Sequence, residues 1–366
     1  MLKRGFCLFR ANLFRNVTSK ENLKMKSWQI HSYGDLSEMQ LNSSRLPVIK
    51  SPKEVLVEVK AASVNPIDVL MLGGYGRTLF QMLRNFELEF PLTLGRDFSG
   101  TVIAKGHEVG NEISIGDEVY GFIPIHKQGC FAETVIAEKF HLLPKPKQLS
   151  HVESASLLYA TMTAWSALFI FGNVFKQMKG LRILVMGASG GVGCSAVQLL
   201  KSQGCQVFAT CSSDAVPLVQ SLGANQVFDY KDPDFTKQVE QEGRYHIILD
   251  AAKIGYQNIP KSWQYETYIT LNSPLLLNTD KHGFICGSAS SVIDLLQANL
   301  LHKTGGSVKW AFFVPDRKGL RFINELINAG KIKPVVHKTF KFENLSDGIK
   351  AVSEGHLRGK VVIDFN

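Results

Sequence analysis

Residues 185–193 place four glycines within seven positions, directly after the apolar run at 181–186. The run predicts a buried strand, and the residues after the turn predict a helix. A strand, a glycine-rich turn and a helix put backbone N–H groups and the positive helix end at one point, where a diphosphate can bind.

The dinucleotide fingerprint is Gly-x-Gly-x-x-Gly. Its six positions here are Ala188, Ser189, Gly190, Gly191, Val192 and Gly193. Because Ala188 replaces the first glycine, a purely structural turn stays the alternative.

The second half of the chain alternates strand-like and helix-like segments. Strands are predicted near 205–211, 226–230 and 245–251, with a helix at 214–224 between the first two. Alternation of this kind implies right-handed βαβ units and a parallel sheet covered by helices. We therefore predict an α/β fold with a doubly wound parallel sheet.

The first half has a different rhythm of short strands and turns. The predicted strands fall at 54–64, 95–106 and 130–146, with a turn at 115–122, a spacing typical of an antiparallel barrel-like domain. A chain of 366 residues is also too long for one ordinary core. We therefore predict two domains.

Positive charge is concentrated at the N-terminus. Of 41 lysines and arginines, seven precede residue 27, against one acid, Glu21, so the rest carries 34 basic and 31 acidic residues, or +3. The apolar residues there recur at helical spacing, which predicts a mitochondrial transit peptide over 1–26, with a disordered basic tail as the alternative. A nucleic-acid partner loses its support once this segment is set aside.

Two further features restrict the class of protein. The six cysteines form no Cys-x-x-Cys pair, so neither a disulfide framework nor a structural zinc is expected. Residues 154–175 carry no acidic or basic side chain and are long enough to cross a bilayer. They include several serines and threonines, however, and we predict a buried helix rather than a transmembrane segment.

The residues at the end of the second parallel strand affect whether the site prefers the free adenine ribose of NADH or the 2′-phosphorylated ribose of NADPH. NAD-binding units usually carry an acidic residue there, whereas this chain has Thr210, Cys211, Ser212 and Ser213. Without a carboxylate to repel a 2′-phosphate, and with hydroxyls that can donate to it, the stretch favours NADPH. Asp214 weakens this preference if the loop turns inward, and a helix cap is the alternative role for Ser212.

Six stretches, at 61–76, 95–102, 116–121, 161–168, 187–193 and 355–363, occur in an order that resembles a known family. That family is the zinc-free quinone oxidoreductase branch of the medium-chain dehydrogenase/reductase superfamily. Residues 267–278 and 309–313 are similar to its mitochondrial, reticulon-interacting members. The resemblance implies a Rossmann domain at 153–317 that binds NADPH. It also implies a GroES-like antiparallel β-barrel catalytic domain formed by residues 27–152 and 318–366.

The resemblance also assigns site residues. It implies diphosphate contacts at Ser189, Gly191 and Val192, and an adenosine phosphate bordered by Ser212 and Tyr230. The residues that should close over the nicotinamide side are Phe312, Phe313, His356 and Arg358. Asn65 and Tyr75 are the expected hydrogen-bond donors to substrate. The alternatives are a core role for the two phenylalanines, a solvated turn charge for Arg358 and a turn aromatic for Tyr75.

Zinc-dependent members of the superfamily bind a catalytic metal at three positions that match Asn65, Arg96 and Tyr159. These residues are poor zinc ligands together, so we predict a metal-free reductase. Without a Lewis acid, hydride is most easily delivered to an acceptor that spreads charge itself, such as a quinone or an enone. Asp97, Asp117 and Glu118 are predicted to be turn acids without a chemical role.

The sequence therefore favours a mitochondrial NADPH-dependent reductase of a ubiquinone-like quinone. An enoyl-thioester or enone reductase is the rival enzyme, and a nucleotide-binding assembly protein without turnover is the rival of another class. By resemblance alone, the candidate partners are a second copy of the chain, a reticulon and respiratory-chain assembly proteins.

Overall fold

Two sheets organise the chain in this computed structural model, which describes residues 23–84, 87–174, 179–300 and 306–366. The strands are β1 (Lys24–Gln29), β2 (Gln40–Arg45), β3 (Glu54–Val64), β4 (Asp97–Lys105), β5 (Glu118–Phe122), β6 (Thr134–Glu138), β7 (Leu142–Pro144), β8 (Arg182–Met186), β9 (Gln206–Cys211), β10 (Gln226–Asp229), β11 (Tyr245–Asp250), β12 (Tyr265–Thr270), β13 (Ser307–Trp310), β14 (Val336–Lys341) and β15 (Lys360–Asp364).

Helices cover both sheets and connect their strands. They are α1 (Pro66–Leu72), α2 (Arg77–Leu83), α3 (His151–Ala155), α4 (Leu158–Trp165), α5 (Gly191–Ser202), α6 (Val216–Ser221), α7 (Phe235–Gln241), α8 (Leu275–His282), α9 (Phe284–Leu300), α10 (Arg317–Asn328) and α11 (Leu345–Glu354).

The parallel sheet has the strand order β10-β9-β8-β11-β12-β13, and every neighbouring pair is parallel. Sequential strands run outward from β8 on one side and from β11 on the other, so the winding reverses between these two strands. Ligands of doubly wound sheets bind at the carboxyl ends of strands beside such a reversal. Four of the five residues of β8 are buried, as expected for a strand covered on both faces. The predicted Rossmann fold is confirmed.

The other large sheet has the order β14-β15-β3-β4-β5-β7, with β6 also paired to β3. All of its pairs are antiparallel except β14 with β15. The register sets Ser63 opposite Asp97 and Val64 opposite Val361. The end of β3, the start of β4 and the start of β15 therefore meet, and this meeting point faces the parallel domain.

The packing in the structure bears on two predicted boundaries. The leader was expected to extend to residue 26, but β1 begins at Lys24 and pairs with β2, so Lys24 to Lys26 belong to the folded chain; residues 1–22 lie outside the described residues. The second predicted boundary lies between residues 317 and 318, so it assigns all of α10 except its first residue to the first domain. Leu320 and Ile323 of α10 nevertheless join that domain's core, and an added Cβ at Gly319 would lie 2.3 Å from Trp165 Nε1 on α4. We propose that the chain returns to the first domain at β14.

The uncharged stretch lies in a helical run, His151–Phe171, formed by α3, α4 and a following π-helical turn. Within the described residues it alone has the length and apolar composition of a membrane span, and 83% of its apolar window is buried inside the protein. The run packs against α5 and α10, in agreement with the prediction of a buried helix.

Candidate active site

A cleft of about 710 Å³ lies between the two domains. It opens at the carboxyl ends of β8, β9 and β11, and the segment between α11 and β15 forms its opposite wall. Ten of the predicted site residues line it, namely Asn65, Ser189, Gly190, Gly191, Val192, Gly193, Ser212, Tyr230, His356 and Arg358.

The glycine turn has a backbone that side chains would obstruct. Gly187 has φ +73°, and an added Cβ at Gly193 would lie 2.2 Å from Gly187 O. Helix α5 then begins at Gly191 with no side-chain cap on Gly190, so its first N–H groups face the cleft without a side-chain acceptor. Gly359 N donates to Ser189 O at 2.8 Å and ties the turn to the opposite wall. A diphosphate fits this cradle of backbone donors.

Ser212 and Arg358 meet at the end of β9. Arg358 Nη2 donates to Ser212 Oγ at 2.7 Å, and the guanidinium pairs with both oxygens of Asp214 at 2.7 to 3.0 Å. The pKa of Asp214 is lowered by the Ser212 hydroxyl and by Arg358. The family resemblance implied that Arg358 closes over the nicotinamide side, whereas in this structure Arg358 contacts Ser212 and Asp214, where the ribose of the adenosine was expected. Tyr230 lines the same part of the cleft and is exposed.

At the other end of the cleft lies a buried polar cluster around Asn65. Asn65 Nδ2 donates to Asp97 Oδ1 at 2.7 Å, and Ser63 Oγ donates to the same oxygen at 2.5 Å. Lys360 Nζ donates to Asn65 Oδ1 and, at 3.2 Å, to Val64 O. Burial raises the pKa of Asp97, and the Lys360 ammonium opposes that shift. The prediction that Asp97 is a turn acid is wrong, because β4 pairs with β3 and buries its carboxylate completely.

The three positions that match the zinc ligands do not form a zinc site. Both polar atoms of the Asn65 amide are engaged in the buried cluster. Arg96 is buried, its Nη1 and Nη2 donate to the carbonyls of Thr93, Pro124 and Lys127, and its Nε lies 3.6 Å from Asp68 Oδ1. A guanidinium carries a fixed positive charge and has no lone pair to offer a metal. Across the described ranges, no group of three or more His, Cys, Asp or Glu residues could hold a metal ion.

Four predicted site residues do not line this cleft. Ala188 is buried in the core beneath the turn, and Phe313 stacks on Tyr159 at 4.3 Å between ring centroids. Phe312 lies 6.0 Å from Phe171 in an edge-to-face contact. Phe313 packs against the core of the parallel domain, in line with its alternative role, whereas Phe312 is half-buried and contacts the Phe171 ring.

Tyr75 is the fourth, and it is half-buried between α1 and α2. Its pKa is raised by burial and then by the charge of Asp280. That carboxylate, on α8 of the parallel domain, accepts hydrogen bonds from Gly76 N and Thr78 N at 2.6 and 2.9 Å. The structure therefore does not bring Tyr75 into the same cleft as Asn65.

Asp250, at the end of β11, shapes the loop that follows this strand. Its buried carboxylate accepts hydrogen bonds from Ala252 N, Ile254 N and Gly255 N at 2.9 to 3.1 Å, and from the Tyr268 hydroxyl at 2.7 Å. Residues 251–254 consequently line the cleft.

Comparison with known proteins agrees with this architecture. Residues 51–147 match the alcohol dehydrogenase GroES-like domain, and residues 222–363 match the zinc-binding dehydrogenase model. The NAD(P)H oxidoreductase RTN4IP1, mitochondrial, of Drosophila melanogaster is 40% identical over 94% of this chain and 87% of its own length. The chain belongs to the RTN4IP1 family of NAD(P)H oxidoreductases.

A further RTN4IP1 relative, the reticulon-4-interacting protein 1, mitochondrial, of Caenorhabditis elegans, is 34% identical over 97% of this chain and 99% of its own length. The quinone oxidoreductase of Coxiella burnetii has the same fold, with a TM-score of 0.74 and 25% identity over 94% of this chain and all of its own. These matches confirm the predicted family and fold. The relatives' names also agree with the mitochondrial location predicted from the leader.

Sequence reasoning missed Lys360, the Asp97 carboxylate and the Asp214 pairing with Arg358. The one available signal was Lys360 itself, a lysine that opens the apolar strand Lys360–Asp364. Lysines are rarely buried without a partner, so a lysine in that position indicates a buried acceptor nearby.

Proposed function

We propose that this chain is a mitochondrial, metal-independent oxidoreductase that uses NADPH to reduce a quinone. The observation that carries the proposal is the cleft itself. It joins an uncapped helix N-terminus, a hydroxyl and guanidinium pair at Ser212 and Arg358, and a buried amide at Asn65. Ser212 with Arg358, then the helix N-terminus and then Asn65 correspond to the adenosine phosphate, the diphosphate and the reacting end of an extended dinucleotide.

The chain's residues would act mainly by placement. Backbone N–H groups at 191–193 would bind the diphosphate, and Ser212 with Arg358 would bind the 2′-phosphate. When bound, the nicotinamide supplies a hydride. Asn65 would donate a hydrogen bond to the acceptor oxygen as negative charge develops there, and water or a nearby donor would supply the proton. Arg96 pairs with the buried Asp68, and Lys360 hydrogen-bonds to Asn65 Oδ1 at this end of the cleft.

The test is a panel of acceptors with the purified chain. Oxidation of NADPH is followed at 340 nm with a soluble ubiquinone analogue, with an enoyl-CoA and with neither. We expect turnover with the quinone. Turnover with only the enoyl-CoA would support the rival enzyme, and Tyr75→Phe would then be the variant to examine. Tight NADPH binding without turnover on any acceptor would support the assembly protein.

Arg358 and Asp214 should control the choice between NADPH and NADH. The guanidinium is held by Asp214 and must turn to a 2′-phosphate when NADPH binds. Arg358→Gln should weaken NADPH binding about tenfold or more, since a charged hydrogen bond contributes about 1.5–3 kcal/mol. NADH binding should change little.

Asp214→Asn should have the opposite effect, because it removes both a competitor for Arg358 and a negative charge beside the phosphate. Dissociation constants for both nucleotides, measured by calorimetry, check the pair of variants. The exposed Arg321→Gln on α10 serves as the control. Equal losses of NADPH and NADH affinity in Arg358→Gln would contradict the assignment.

We also propose protein partners for this chain. The name of the C. elegans relative refers to reticulon-4, and we propose a reticulon as a partner here too. A homodimer and respiratory-chain assembly partners stay expectations from the family resemblance.

A further inference from the structure

Lys360 is a buried cation that the proposed function leaves without a specific task. It opens β15, and only 6% of the residue is exposed. Its side chain passes beside the glycine turn, since an added Cβ at Gly191 would lie 2.7 Å from Lys360 Cδ. The ammonium then ends on Val64 O and Asn65 Oδ1. Lys360 therefore connects the diphosphate end of the cleft with the amide at its base.

The partners of Asn65 fix which way its amide points. An ammonium can only donate hydrogen bonds and an ionised carboxylate can only accept them. Asn65 must therefore direct Oδ1 to Lys360 and Nδ2 to Asp97, as the structure has it. A 180° flip would set Oδ1 against the carboxylate and the NH₂ group against the ammonium. The second N–H of Nδ2 is not used by Asp97, and Asn65 lines the cleft.

The charges around this amide are balanced within the protein. Asp97 and Asp68 stabilise the protonated form of Lys360, whereas burial lowers the pKa of Lys360. Arg96 pairs with Asp68 on the far side. Buried ion pairs contribute little net stability compared with apolar residues of the same volume. A role in orientation therefore accounts for this arrangement better than a role in stability.

We propose that Lys360 is a positioning residue that holds the Asn65 amide so that it presents an N–H, and not a carbonyl, to the substrate. This inference rests on the proposed function and narrows its substrate class. The acceptor must carry an oxygen that accepts a hydrogen bond, such as a quinone or enone carbonyl. A substrate that offers a hydroxyl or amine donor at that position would find no acceptor on Asn65.

The test compares Lys360→Met, Asn65→Ala and the double variant in the full chain. Lys360→Met should lower kcat with the ubiquinone analogue about tenfold and weaken binding of that quinone, measured by calorimetry without nucleotide, by a similar factor. The dissociation constant of NADPH should stay within about twofold. Because Lys360 acts through Asn65, the double variant should be no slower than Asn65→Ala alone.

Lys350→Met, which removes an exposed lysine from α11, controls for the loss of a charge. Multiplicative losses in the double variant, or a loss of NADPH affinity equal to the loss of quinone affinity, would overturn the proposal. If Lys360→Met does not fold, Lys360→Gln keeps a donor without the charge and should retain more activity than Asn65→Ala. Failure of the wild-type chain to bind NADPH would instead count against the proposed function.

Discussion

Replacing Gly190 by valine is expected to abolish dinucleotide binding while the protein stays folded. An added Cβ at Gly190 has only Gly187 O within 4 Å, at 3.5 Å, and the residue's φ of −78° and ψ of 172° suit a β-branched side chain. The new methyl groups would occupy the cleft where the diphosphate should lie. We expect the dissociation constant of NADPH to rise at least about 100-fold, which corresponds to about 2.7 kcal/mol. The midpoint of thermal unfolding should change little.

Gly193→Ala is the matched control for this prediction. Its Cβ would lie 2.2 Å from Gly187 O and 2.6 Å from Ala188 Cα. The added methyl group would therefore clash with the backbone of the turn. We expect loss of stability in this variant even without ligand. Normal NADPH affinity in a folded Gly190→Val protein would show that the diphosphate binds elsewhere.

Removing the Asp97 carboxylate should have the largest effect on stability. It accepts hydrogen bonds from Ser63 Oγ, Asn65 Nδ2 and Tyr159 N, and its negative charge stabilises the buried ammonium of Lys360. Breaking a buried ion pair by deleting one partner costs about 3–5 kcal/mol. Asp97→Ala should lower the free energy of unfolding by about this amount, as measured by urea denaturation.

The control is Asp117→Ala, because Asp117 is an exposed acid in the turn before β5. Its carboxylate accepts one hydrogen bond, from Ser114 N at 2.8 Å, so we expect a loss of about 1 kcal/mol or less. Similar losses in the two variants would mean that Asp97 is not the buried counter-ion described here.

Features that depend on local conformation were predictable from the sequence. The glycine turn is one, because its backbone needs a positive φ at Gly187 and no side chain at Gly193. The alternation of strands and helices in the parallel domain is another, because the hydrophobic pattern of a helix differs from that of a buried strand. Ser212 could also be placed, as it follows directly from the end of β9.

Features that depend on long-range pairing were not predictable. Asp97 resembled a turn acid until its strand was paired with β3. Arg358 and Asp214 are 144 residues apart, and Lys360 is 295 residues from Asn65. The first pairing needs the relative placement of the two domains, and the second needs the pairing of β15 with β3. Phe313 lies in an aromatic motif that fits a core position as well as a cofactor contact. Its place became evident only from its stacking on Tyr159.

Hydrogen–deuterium exchange of the wild-type chain with and without NADPH tests the central claim most directly. We predict slower exchange at residues 187–193, 210–214 and 356–360, which surround the cleft, and smaller effects with NADH at 210–214. Unchanged exchange at the glycine turn in the presence of saturating NADPH, or protection confined to another surface, would contradict the account.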